Sequence, residues 1–174
     1  MATDPGGLRR LAAEIGGLLR EMETIVQDGE DGAAGIPPAQ TPERATLRAL
    51  GSVLHDFYTV VEDIFESIAA DLDGGVPTSS DWHKRLLRSM AEPVDGVRPA
   101  VISADTATRL EEYLGFRHLF RNVYGHRLDW ARMERLVRHL GDIAGRFRHD
   151  ATRFRAYLCR LASDLEAPGG EARS

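Results

Sequence analysis

The sequence predicts an all-α chain, an up-and-down bundle of about five helices, and three observations predict it. Apolar residues recur at alternating three- and four-residue spacings through most of the chain. Glycine and proline gather in a few short connectors between those stretches. No segment alternates with period two for long enough to mark a strand.

The elements follow in order. Leu8, Leu11, Ile15, Leu18, Met22 and Ile25 lie on one face of a first helix. Gly16 and Gly17 weaken it, because an interior glycine costs roughly 0.5–1 kcal/mol against alanine. A glycine- and proline-rich loop is expected from Gly29 to Thr41. Thr41 is then the expected N-cap of a second helix, with Pro42 at its first position and Glu43 in its first turn. The core stripe of that helix is Leu47, Leu50, Leu54, Phe57, Val61, Ile64 and Ile68, and Gly74, Gly75 and Pro77 end it. Asp81 caps a short third helix carrying Trp82, Leu86, Leu87 and Met90. Pro93 to Pro99 is a connector, and Ser103 caps a fourth helix running toward Tyr124. The last helix reads as one unbroken element from Trp130 to Leu165, about 50 Å long at 1.5 Å per residue. That exceeds the width of a small domain, so part of it is expected against a partner. One domain is expected over residues 1–167, with 168–174 as a frayed tail.

Composition bounds the function. With 174 residues and 43% hydrophobic content, the chain can bury a core without covalent staples. Its single cysteine, Cys159, excludes an internal disulfide and fits a reducing compartment. No apolar run approaches the roughly 18 residues needed to span a bilayer, and the N-terminus makes a poor signal peptide, so a cytoplasmic protein is expected. A net charge of −5 argues against nonspecific coating of nucleic acid. Charge is unevenly spread, with ten arginines against four acidic residues between Arg121 and Arg160.

Several chemistries find no support. There is no glycine-rich phosphate loop and no nucleophile elbow. One cysteine cannot build a zinc ribbon. A di-iron bundle needs Glu-x-x-His pairs, and none of the six histidines has a carboxylate three residues before it.

What is present is the run Arg121-Asn122-Val123-Tyr124-Gly125-His126. On a helix Asn122 and His126 are about 40° apart, and His118 extends their face. His126 can exchange a proton near neutral pH, Arg121 stays charged and forks onto phosphate, and Asn122 can orient either. The set suits metal-independent RNA cleavage, in which histidine takes the ribose 2′-hydroxyl proton and arginine stabilises charge on phosphorus. A symmetric dimer would bring two copies of this modest equipment into one cleft.

The motif Arg-Asn-x-x-x-His on the penultimate helix of a five-helix chain resembles the Arg-x4-His motif of the HEPN superfamily, and within it the HepT-like toxins. The resemblance spans roughly Thr41 to Leu165 by helix order. It implies a HEPN-like bundle and a metal-independent endoribonuclease toxin of a toxin–antitoxin system. It further implies a homodimer with a composite site, RNA of the tRNA or mRNA type as substrate, and a minimal nucleotidyltransferase antitoxin, MntA-like, as partner. Carried over, Arg121 and His126 are the catalytic pair and Asn122 supports them, with no cofactor and no metal. One departure stands out. The family pattern continues His-x-Tyr, whose tyrosine the antitoxin AMPylates, whereas this chain reads His126-Arg127-Leu128. Control by AMPylation is thereby in doubt.

Other readings remain beside it. A noncatalytic HEPN-like module binding a nucleotidyltransferase or nucleotide would keep the bundle without needing His126, and a bundle subunit with an unrelated partner is a third. A metal site from His118, Asn122 and His126 is disfavoured, because asparagine is a weak ligand and Arg121 repels a cation. Arg135, His139, Arg146, His149, Arg153 and Arg160 form a stripe that is either an RNA track or, preferably, a solvated face. His55, Thr59, Glu62, Asp63 and Glu66 read as a solvent face, with the alternative that one acid orients His126. Trp82 and Trp130 are expected in core or capping positions, and Cys159 as a small buried filler.

Overall fold

The computed structural model describes residues 4–38, 40–122 and 128–167. Among them the chain forms six helices: α1 (Pro5–Ala33), α2 (Arg44–Leu72), α3 (Trp82–Met90), α4 (Ala104–Asn122), α5 (Trp130–Arg138) and α6 (Leu140–Glu166). The anticipated all-α bundle is therefore present. The expected tail, 168–174, lies outside the described residues, as do Tyr124 and His126.

Cross-helix contacts give the packing register. Glu14 meets Ser67 and Gly32 lies against Leu50, so α1 and α2 run antiparallel. Arg9 pairs with Glu166, Arg155 Nε donates to the Ala12 carbonyl at 2.7 Å, and Arg148 reaches Glu23 at 2.9 Å, so α6 is antiparallel to α1. Arg88 with Glu111 and His83 with His118 set α3 antiparallel to α4. Arg109 and Arg146 tie the start of α4 to the start of α6 through Asp142 and Asp105. Between them sits one core, with Leu54, Phe57, Val61, Ile64, Leu87, Leu110, Met133 and Phe147 fully buried. Both predicted stripes point into it, though Leu18, Ile25 and Leu47 stay at its edge.

The local signals meet mixed outcomes. Asp4 caps α1, accepting from the Gly7 N–H at 2.9 Å. Ser103 caps α4 as anticipated, with the Thr106 N–H donating to its Oγ at 3.1 Å. Asp150 of α6 backs that cap, accepting from the Ser103 N–H at 2.9 Å and the Thr106 hydroxyl at 2.7 Å. Asp81 precedes α3 but makes no side-chain cap bond. Thr41 does not cap α2: the backbone stays extended through Glu43 (ψ 153°), and the helix starts at Arg44. The loop expected from Gly29 begins later, because α1 continues to Ala33. Gly29 is there for close packing, since a Cβ would sit 2.8 Å from Val53 and 2.9 Å from Leu140. Gly74 and Gly75 do end α2, at φ +83° and +134°, where only glycine is unstrained.

The last helix is two helices, not one. His139, at φ −102° and ψ 6°, leaves helical geometry between α5 and α6. On either side of the break, Trp130, Met133 and Val137 and then Leu140, Ile143 and Phe147 are all buried in the one core. At 27 residues α6 is about 40 Å long, shorter than the single rod of about 50 Å expected from the sequence. No helix among the described residues is long and apolar enough to cross a membrane.

Candidate active site around the end of α4

Helix α4 carries Arg117, His118 and Arg121 within its last two turns, followed by Asn122 as its final residue. Arg117 and Arg121 are four apart and share a face. Arg121 is exposed and Arg117 is buried at 7% exposure. The apolar face of α4 explains the difference, since Tyr113 and Leu114, one turn before Arg117, are both in the core.

A buried guanidinium needs a counter-charge, and α2 supplies it. Glu62 is 3% exposed and its Oε2 lies 2.5 Å from Arg117 Nη2. Its Oε1 meets Nδ1 of His83 on α3. The ring of His83 stacks on Trp82 at 3.6 Å and meets the His118 ring edge-on at 5.1 Å. Three helices thus converge on one carboxylate. The second-helix polar face read as solvated is wrong at this position: Glu62 faces inward, because Tyr58, Val61 and Phe65 around it are all core residues. Arg117 Nε and Nη1 are buried and find no hydrogen-bond partner among the described residues.

These contacts shift proton affinities. Burial raises the Glu62 carboxyl, while Arg117, His118 and Arg121 pull it back down. Burial also lowers His83 and His118, and Arg117 and Arg121 lower both further by repelling a second positive charge. The pair therefore favours the neutral imidazole, with Glu62 accepting the Nδ1–H of His83. Arg121, three residues after His118 and four after Arg117, shares their face of α4 and favours the ionised Glu62 and the neutral forms of both histidines. Of the three predicted residues, Arg121 is exposed in the last turn of α4, on the face that carries Arg117 and His118, Asn122 ends the helix, and His126 lies outside the described residues.

The HepT-like protein family matches residues 49–158, more than half of the chain, and this span holds most of α2, all of α3 to α5, most of α6 and the whole motif. The chain belongs to the HepT-like family. Comparison with curated proteins and with solved structures found no match.

In this HepT-like chain, Leu128, the position where the resemblance leads one to expect a tyrosine, packs against the core: a Cβ at Gly51 would lie 3.0 Å from its Cδ1. The position serves the core and offers no hydroxyl. The arginine stripe is largely neutralised, as Arg135 pairs with Glu112 and Arg146 with Asp142 and Asp105. That fits the solvated face rather than an RNA track. Trp130 is in the core and Trp82 lies at its edge. Cys159 is exposed, correcting the expectation of a buried filler, because Leu158 and Ala162 take the inward positions of that turn. Among the described residues no group of three or more His, Cys, Asp or Glu could hold a metal ion.

Sequence reasoning did not find His83 or Arg117. A signal existed for Arg117 and Glu62, since each has apolar residues at i−4 and i+3, the mark of a position turned inward.

Proposed function

We propose that this HepT-like chain is a metal-independent endoribonuclease toxin whose catalytic pair is Arg121 and His126, supported by Asn122. The observation that carries the reading is the Arg121-Asn122-x-x-x-His126 motif at the C-terminal end of α4, within the family match. Arg121 stabilises charge on the phosphoryl oxygens and His126 moves a proton as the ribose 2′-hydroxyl attacks the adjacent phosphorus. Two chains pair as a homodimer in the cytoplasm, so that one cleft draws on two motifs. Leu119, exposed on the face of α4 opposite Arg121, is an apolar residue that such a pairing would cover. The natural partner is a minimal nucleotidyltransferase antitoxin. With Leu128 in place of the acceptor tyrosine, such a partner restrains this toxin by occluding the cleft rather than by AMPylating that position.

Incubation of the purified protein with total tRNA in EDTA, beside His126→Ala, tests the reading. Cleavage by the wild type alone, leaving 2′,3′-cyclic phosphate ends, is the expected result. RNA left intact by both proteins would instead make this a noncatalytic helical module that binds a nucleotidyltransferase or nucleotide.

A further inference from the structure

Two oxygens change protonation when RNA is cut by its own 2′-hydroxyl, so each cut calls on two proton-transfer groups. We propose that His83, oriented by Glu62, is a second proton-transfer residue of this site, taking the 2′-hydroxyl proton while His126 protonates the departing 5′-oxygen. The proposal rests on the ribonuclease reading above and assigns a role that the motif alone does not contain.

The geometry is that of a directed histidine. Glu62 is held on its other oxygen by Arg117 and is shut off from water, so it stays put and accepts the Nδ1–H of His83. That bond fixes one tautomer, with the proton on Nδ1 and Nε2 left as the basic nitrogen, the arrangement by which a carboxylate orients a catalytic base. Trp82 stacked on one face and His118 edge-on restrict the ring further. A base must be unprotonated before it acts, and here burial with Arg117 and Arg121 favours the neutral ring, Glu66 opposing them. The groups facing His83 are thus Glu62 and Glu66 from α2 and Arg117, His118 and Arg121 from α4. His118, whose ring meets His83 at 5.1 Å, lies three residues before Arg121 on the same face of α4, so the proposed phosphate ligand and the base stand on one side of that helix.

The step balances. The 2′-hydroxyl proton passes to His83 Nε2 as the 2′-oxygen bonds to phosphorus. The bond from phosphorus to the 5′-oxygen breaks, and that oxygen takes a proton from the His126 imidazolium. The products are a 2′,3′-cyclic phosphate and a 5′-hydroxyl, and solvent restores both histidines. Glu62 is a positioning residue, since it acts only through His83.

Cleavage rates of a short RNA in EDTA, measured across pH for wild type, His83→Gln, Glu62→Gln and Arg121→Ala, decide it. The wild type is expected to lose rate on the acid side as His83 becomes protonated. His83→Gln should cut about 10²–10⁴-fold more slowly and lose that limb. Glu62→Gln should move the limb to lower pH, because losing the carboxylate makes the imidazolium less stable. A merely structural role for Glu62 would lower the rate and leave the limb where it was. Circular dichroism of each variant, with only folded variants scored, separates lost chemistry from lost fold. If wild type cuts, Arg121→Ala does not, and folded His83→Gln keeps the wild-type profile, the His83 proposal falls and the ribonuclease reading stands. If the wild type leaves RNA uncut, both fall together.

Discussion

At the scale of single residues, the corner where α2, α3 and α4 meet sets two opposed proton linkages side by side. His83 and His118 have folded-state pKa values below the ordinary 6.5, chiefly from burial. Well above 6.5 both are neutral, folded or unfolded. As pH falls below 6.5 the unfolded chain takes up these protons first, so stability is lost down to the lowered folded values. Glu62, Asp63 and Glu66 are raised, again chiefly by burial. For them the folded chain holds the extra proton, so stability falls as pH rises from their ordinary range toward the raised values. Urea midpoints taken from about pH 7.5 down to about pH 6 fall mainly in the histidine window. Wild type should become less stable over that interval, and a His83→Gln, His118→Gln double variant should change less. Equal slopes for the two proteins would show that neither histidine is held neutral by the fold. None of this was visible as a motif. Arg121, Asn122 and His126 stand together in the chain, whereas Glu62, His83 and Arg117 are separated by two connectors and meet only through packing.

At the scale of elements, periodicity carried most of the weight and glycine the least. Every stretch with a sustained apolar stripe is helical, since a 3.6-residue period has few other ways to bury its face. The divided last helix escaped notice because α5 and α6 continue the same spacing across His139, and one residue's dihedral angles leave no mark in composition. Gly29 misled for a different reason. Glycine argues for a loop when it supplies freedom, but here it supplies space where α1 crosses Val53 and Leu140. The two uses predict opposite outcomes for one substitution. Gly29→Ala should destabilise by about 1–3 kcal/mol, because the added methyl overlaps packed side chains. Gly145→Ala, inside α6 with nothing near its Cβ, should stabilise by roughly 0.5–1 kcal/mol through the unfolded chain's lost freedom. Denaturant midpoints of the two variants check the pair, and a loss at Gly145 or a gain at Gly29 would contradict the packing described.

At the scale of the molecule, the question is whether one chain makes a complete site. The core is self-contained, so a monomer can fold, and dimerisation must be argued from chemistry rather than from need of burial. The chemical argument is that α4 ends with Arg121 exposed, so the motif stands on a surface a second copy can cover, while Leu119, bare on the opposite face of the same helix, offers that copy an apolar contact. If the cleft is shared, its arginine and its histidine need not come from the same chain. Arg121→Ala and His126→Ala should each be inactive alone. Refolded together from denaturant, they would form mixed dimers holding one intact Arg121 and one intact His126 across the same cleft. Such a mixture should recover measurable cleavage of tRNA in EDTA, and Leu119→Glu in both partners should weaken the recovery by opposing association. Inactive mixtures, with mixed dimers demonstrated by differently tagged chains, would place a full set of reacting groups within each protomer. The cluster of Glu62, His83 and Arg117 would then have to serve its own chain's motif, and the dimer would be an assembly rather than a condition of catalysis.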